Sequence, residues 1–189
     1  MKPPSSPSSA TGPVLDAAAV ERALRRIAHE IVERNPDLGS VILAGIPSRG
    51  VEIAHRLADI IESLGQGRAA TGAIDVSMHR DDVGTRAELP RVQASTLPLP
   101  LEGKTVIIVD DVLFTGRTVR AAMDALGSFG RPARIQLAAL IDRGHRELPI
   151  RADYIGKNLP TAPGEQVSLR LRDVDGEPDA VWLMKEEKR

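Results

Sequence analysis

The chain has 189 residues, and its 25 Lys and Arg balance 26 Asp and Glu to a formal net charge of −1, so overall charge gives no sign of a nucleic-acid or membrane surface. Hydrophobic residues make up 42% but aromatics only 2%, which predicts one domain with a core of Val, Ile, Leu and Ala. The absence of cysteine excludes disulfides and thiolate metal sites, fits a reducing cytoplasm, and accompanies a sequence with no apolar run near the roughly 20 residues of a membrane span.

Met1 to Pro13 is rich in Pro and Ser and has no hydrophobic centre. It is expected to be a disordered tail rather than a signal peptide, with a single domain over 14–189. Asp16 is the predicted N-cap of a helix that stops at Asn35-Pro36. Val20, Leu24, Ile27 and Ile31 form its buried stripe, while Arg22, Arg26 and His29 share the opposite face with Arg25 beside them. Val41 to Ile46 is a predicted buried strand, Pro47-Ser48-Arg49-Gly50 a turn, and Val51 to Leu64 an amphipathic helix ended by Gly65. Ala73 to Met78 is expected to be a strand with Ile74, Val76 and Met78 on one side. His79 to Pro100 is a long polar excursion, of a length usually functional or mobile. A strand beginning at Val106, a helix over Arg117–Phe129 and a strand over Ile135–Ile141 follow. Beyond Asp142 the chain is turn-rich, with short strands expected at Val167–Leu171 and Ala180–Met184. This alternation predicts an α/β fold with a mostly parallel sheet and right-handed crossovers. There is no internal repeat.

The run Val106-Ile107-Ile108-Val109-Asp110-Asp111-Val112-Leu113-Phe114-Thr115-Gly116-Arg117-Thr118 carries the most chemistry. Its β-branched opening suits a central strand covered on both faces. Two carboxylates then fall at the strand's carboxyl end, where open α/β sheets bind ligands. A Gly turn leads into a helix whose first N–H groups, flanked by Thr115 and Thr118, can hold a phosphate. Acids that read hydroxyls or a metal, set beside a phosphate cradle, point to a phosphorylated sugar. A solvated strand end with a helix cap is the plain structural alternative. A Walker A loop is excluded because Arg117 stands where lysine is required and Asp111 where the first Gly is required. No G-x-G-x-x-G fingerprint follows a predicted strand.

Pro47-Ser48-Arg49-Gly50 follows the first strand of the sheet, so its loop should open at the same edge as Asp110 and Asp111. A guanidinium can bind phosphate oxygens with two parallel hydrogen bonds, although the tetrapeptide alone is equally an ordinary β–α turn. His79-Arg80-Asp81-Asp82 opens the polar excursion and, by itself, reads as a solvated surface.

The Val106–Thr118 run resembles the signature with which type I phosphoribosyltransferases bind 5-phosphoribosyl-1-pyrophosphate (PRPP). Beside it, Ser48 and Arg49 resemble that family's pyrophosphate loop. The string from Asp142 to Asn158, DRGHRELPIRADYIGKN, and the helix segment Arg22–Glu30 narrow the resemblance. They are similar to the bacterial pyrimidine-operon attenuation regulators that also show uracil phosphoribosyltransferase activity, over about residues 14–184.

The resemblance implies a type I phosphoribosyltransferase fold with a hood over uracil at about 142–168. It implies that Ser48, Arg49, Asp110, Asp111, Val112, Leu113, Phe114, Thr115, Gly116, Arg117, Thr118, Arg143 and Val167 bind PRPP, uracil or UMP. It further implies a flexible loop in which Arg80 stabilises charge on departing pyrophosphate, with Asp110 and Asp111 completing the catalytic set. Mg²⁺ is expected with PRPP; no His/Asp/Glu cluster has metal-ligand spacing, so the ion should be held mostly by substrate oxygens and water, with Asp110 and Asp111 contacting it directly or indirectly. Purine phosphoribosyltransferases carry Asp immediately before the Thr-Gly of the signature; Phe114 stands there, which favours a pyrimidine. The regulators commonly have Tyr at the positions of His79 and Phe114, and both departures bear on catalytic rate.

The same resemblance implies binding of a pyr mRNA leader hairpin when UMP or UTP is bound, and a homodimer or larger homo-oligomer. Arg22, Arg26, His29, Arg143 and Arg146 are the expected RNA residues, with Arg151 and Lys157 adding basic charge. No RRM, KH or double-stranded RNA motif is present. A salvage enzyme without RNA control, and a nucleotide sensor with vestigial catalysis, remain the alternatives.

Overall fold

The computed structural model describes residues 12–77 and 94–185. Most of the expected tail (1–11), the loop residues His79, Arg80, Asp81 and Asp82, and the last four residues lie outside the described residues. Helix α1 (Ala17–Arg34) starts where Asp16 accepts the Ala19 N–H at 2.8 Å, and Asn35 closes it by donating its own N–H to Ile31. Strand β1 (Val41–Gly45), helix α2 (Arg49–Ser63), strand β2 (Ala70–Ala73), strand β3 (Thr105–Leu113), helix α3 (Arg117–Leu126) and strand β4 (Arg134–Asp142) follow. Strand β5 (Tyr154–Asn158), strand β6 (Glu165–Arg170), the short helix α4 (Arg172–Asp175) and strand β7 (Ala180–Lys185) complete the order.

The main sheet is parallel in the order β2-β1-β3-β4-β5. Alternation along its central strands divides the core. Val41, Leu43, Ile107 and Val109 pack with α1 and α2, whereas Ile42, Ala44, Val106 and Ile108 pack with α3. Both faces are thus dry, which is why the central strands read as continuous aliphatic runs. Strands β6 and β7 form a separate antiparallel pair, and Leu169, Leu171 and Val181 join the core on the α1/α2 side.

Two strand expectations change. The strand at 73–78 instead spans Ala70–Ala73, because β1 ends at Gly45 and leaves no ladder partner further on. Ile74 and Val76 are buried all the same, and their spacing reported burial rather than pairing. Strand β5 was hidden within the turn-rich region. It is a short edge strand in which only Tyr154 and Gly156 are buried, too few to write a hydrophobic run. Residues 154–158, inside the expected hood, therefore belong to the main sheet. The Tyr154 hydroxyl accepts from Asn35 Nδ2 at 3.0 Å and donates to Gln136 at 3.1 Å, which ties the end of α1 to β4 and β5.

Candidate active site

The sheet reverses its winding between β1 and β3: β2 lies outward of β1 in one direction, β4 and β5 outward of β3 in the other. Ligands of open α/β sheets bind at such a point, beyond the carboxyl ends of the strands. β1 pairs with β3 only as far as Gly45–Val109. β3 continues through Asp110, Val112 and Leu113 against Ala139, Ile141 and Asp142 of β4. The strand therefore does not end at the acid pair, as expected from sequence; its partner β4 carries it onward to Leu113. The crevice forms where β1 has turned away and β3 has not.

Asp110 is buried and Asp111 half-buried. Oδ1 of Asp110 accepts the Asp111 N–H at 2.9 Å, and Oδ1 of Asp111 accepts the Val112 N–H at 2.8 Å, so backbone contacts fix both carboxylates. Gly116 then takes φ +92° as the N-cap of α3. Gly116 itself has no side chain to cap the helix, Thr115 Oγ1 accepts the Arg117 N–H at 3.4 Å, and Arg120 donates to the Gly116 carbonyl. The first turn of α3 thus presents main-chain N–H groups at the Thr115–Thr118 turn, a geometry able to take an anion.

Ser48 is the N-cap of α2 and Arg49 its first residue, and the Pro47–Ser48 peptide is cis. A Cβ on Gly50 would run into the Val109 carbonyl oxygen, so the loop after β1 lies directly against the strand that bears the acids. Arg49 gives Nε to Asp175 Oδ2 at 3.0 Å and Nη2 to Asp175 Oδ1 at 2.7 Å. That hydrogen bond raises the Arg49 pKa against the opposing effect of burial, with the charges of Asp175 and Asp111 adding to it. Burial works to raise Asp175, but Arg49, the Leu171 N–H and Arg170 outweigh it and hold the carboxyl below its ordinary range. Sequence reasoning missed Asp175. The acidic residues Asp173 and Asp175 were visible, but nothing local pairs one with an arginine 126 positions away.

The segment after β4 folds over the turn that opens α3. Glu147 and Leu148 give their N–H groups to the Thr115 carbonyl at 3.0 and 3.2 Å, and Glu147 binds Arg117 Nε at 2.7 Å. Arg143 donates to Thr161 and to the Glu165 carbonyl, and its guanidinium lies 4.1 Å from the centre of the Phe114 ring. Phe114 is 41% exposed at the crevice, with His145 edge-on to it. Val167 is half-buried on β6, packed against the α1/α2-side core, two residues beyond the Glu165 carbonyl that anchors Arg143.

The expected RNA residues separate. Arg22, Arg26 and His29 are exposed on α1, as their spacing predicts. Arg146 lies elsewhere: it donates to the Phe114 carbonyl at 2.7 Å and the Ile150 carbonyl at 3.0 Å, and pairs with Asp142 at 2.5 Å. Its guanidinium is thus taken up by carbonyls of the Gly116 turn and of the segment after β4. Arg26 meets the second basic group through other residues. Together with Arg151 and Lys157 it lines a groove of about 430 Å³ along β5, where Arg26 also binds the Ile155 carbonyl at 2.7 Å.

Among the described residues no group of three or more His, Cys, Asp or Glu can enclose a metal ion. The Asp110–Asp111 pair, with one oxygen of each already fixed by backbone, fits an ion held chiefly by substrate oxygens and water. No helix among the described residues is long and apolar enough to cross a membrane.

A parallel sheet with a phosphate turn, an acid pair and a second anion loop at its switch point defines a type I phosphoribosyltransferase. Residues 11–171 match the phosphoribosyl transferase domain family. The bifunctional protein PyrR of Roseiflexus sp. is 53% identical over 91% of this chain and 94% of its own. That of Chloroflexus aurantiacus is 56% identical over 90% and 93%, and that of Bacillus pumilus 54% over 86% and 91%. The chain belongs to the PyrR family. Among solved structures, a Trypanosoma cruzi hypoxanthine phosphoribosyltransferase variant superposes with TM-score 0.72 at 19% identity, over 96% of this chain and 88% of that one. At that identity the likeness shows the fold alone.

Proposed function

We propose that this protein converts uracil and PRPP to UMP and pyrophosphate, and that with UMP or UTP bound it binds a pyr mRNA leader hairpin to control transcription attenuation. The observation that carries the enzymatic reading is that Asp110–Asp111, the Gly116 N-terminus of α3 and the Ser48–Arg49 loop all lie at the carboxyl ends of β1 and β3. The N–H groups of 116–118 hold the 5′-phosphate, and Asp110 and Asp111 hold the ribose hydroxyls. Arg49 receives the pyrophosphate. Uracil N1 bonds to C1′ as the C1′–pyrophosphate bond breaks, and the N1 proton is released. Asp110 and Asp111 would hold Mg²⁺ together with PRPP, and the ion would supply neutralising charge for the departing pyrophosphate. Arg80 is assigned to the same charge from the loop.

The base is uracil because Phe114, beside the Arg143 guanidinium, presents no acid–base group where purine enzymes carry Asp. Assays with uracil, hypoxanthine, guanine and orotate test this, and a purine turned over faster than uracil would refute it. In the same assays Asp111→Asn should weaken PRPP and UMP binding while the protein stays folded; unchanged affinities would remove the ribose assignment.

For RNA, the supporting observation is the β5 groove, where Arg26, Arg151 and Lys157 outnumber the acids Glu30 and Asp153 that also line it, and where Glu30 pairs with Arg26. Arg22 and His29 extend this face along α1. A cytoplasmic homodimer or larger assembly, which would double that face, accords with the family reading. If the protein shows no preference for a pyr hairpin over unrelated RNA, the salvage-enzyme reading replaces regulation.

A further inference from the structure

We infer that Asp175 is a positioning residue for the reaction: it holds Arg49 side-on so that the guanidinium presents its end-on pair of N–H groups to pyrophosphate. This rests on the reading of Ser48–Arg49 as the pyrophosphate loop. A guanidinium has two forks, one made by Nε and Nη2 and the other by Nη1 and Nη2. Asp175 occupies the first, at 3.0 and 2.7 Å. Among the described residues no other acceptor takes the second.

The carboxylate is itself immobilised. Its Oδ2 also accepts the Leu171 N–H at 2.8 Å, and Arg170 lies 3.9 Å from Oδ1. With a side-chain exposure of only 10% it is a fixed fitting rather than a mobile counter-ion, whereas Arg49 at 30% still reaches solvent. A long side chain clamped at its root and along one edge loses little further freedom when phosphate oxygens arrive. Asp175 sits in the connection between β6 and β7, so the orientation of the pyrophosphate group is set by an element outside the main sheet.

PRPP and UMP share ribose and 5′-phosphate but differ in pyrophosphate, which supplies the test. Asp175→Asn should raise KM for PRPP about tenfold, the scale of one charge-assisted hydrogen bond. It should change kcat much less and leave UMP affinity, measured by calorimetry, unaltered. Asp175→Glu keeps the charge but moves the carboxylate outward by a methylene, and should raise KM as well. In an Arg49→Gln background, Asp175→Asn should add nothing, because the group it positions is gone. Asp173→Asn, which loosens Arg56 instead, serves as the structural control and should leave KM unmoved.

Unchanged KM in both Asp175 variants, tighter PRPP binding, or an equal loss of UMP affinity would each overturn the inference. The second outcome would make Asp175 a competitor of pyrophosphate, and the third a support of the fold. If Arg49→Gln itself leaves KM unchanged, the pyrophosphate-loop reading falls. If Arg49→Gln raises KM and neither Asp175 variant does, that reading stands and only the positioning role is lost.

Discussion

Gly116 combines φ +92° with a crowded outer side, where an added Cβ would stand 3.3 Å from the Ile150 side chain. A β-branched residue there costs about 1–3 kcal/mol of backbone strain and would push the turn away from the ligand. Gly116→Val is therefore expected to lower PRPP affinity at least about tenfold while far-UV circular dichroism stays native. Calorimetry of the folded variant decides it, and wild-type affinity would exclude a phosphate turn. Phe114 and Arg143 present a different case, in which the two side chains lie against each other. The guanidinium is anchored by Thr161 and Glu165, and its stacking on Phe114 joins the phosphate turn to the approach to β6.

At the scale of elements, α2 grips the β6–β7 connection at two points. Arg49 binds Asp175, and a turn or two further along Arg56 binds Glu52, Asp173 and Asp179. Burial alone would lower the Arg56 pKa and raise that of Asp179, but their hydrogen bonds reverse both effects. Asp175 and Asp179 thus titrate below their unfolded value, near about 3.9. Such groups contribute stability that is fully present above that value and is lost as pH falls through the lower folded pKa. The β6–β7 pair should accordingly loosen from α2 only in strong acid. Trp182, the single tryptophan, lies on β7 and reports the event by fluorescence. Arg56→Gln should shift that transition to higher pH; an unshifted curve would mean that the apolar contacts of Leu169, Leu171 and Val181 hold the pair alone.

For the whole molecule, near-zero net charge makes local segregation the condition for binding RNA. The candidate for such a region is the β5 groove, where Arg26, Arg151 and Lys157 outnumber Glu30 and Asp153, and whose lining excludes Asp110 and Asp111. Lys157→Gln is expected to weaken binding to a pyr leader hairpin and to flatten its log–log salt dependence by roughly 0.7–0.9, with uracil transfer little changed. Arg146→Gln should impair uracil transfer too, because its donors brace Phe114 and Ile150 in the crevice. Gel shifts with and without UMP, paired with activity assays, separate these outcomes. Linkage requires that whatever UMP adds to RNA affinity, RNA adds equally to UMP affinity.

What could be read from the sequence alone was local and repetitive. Asp16 as a cap, the α1 stripe, the aliphatic runs of β1, β3 and β4, and the strand–turn–helix with its acids all follow from periodicity and turn chemistry within a few residues. What only the tertiary structure decided involves partners far apart in the chain. β3 runs past Asp110 because β4 extends to Asp142, and β5 is a strand because an existing sheet edge recruits it. Arg49 meets Asp175 and Arg146 meets Phe114 across connections whose course no local pattern encodes. Hydrophobic spacing records which side of a segment is buried; it does not record which neighbour buries it. That difference is why the turn from β3 into α3 was visible from its own residues, while the groups that hold it in shape appeared only once the sheet had assembled.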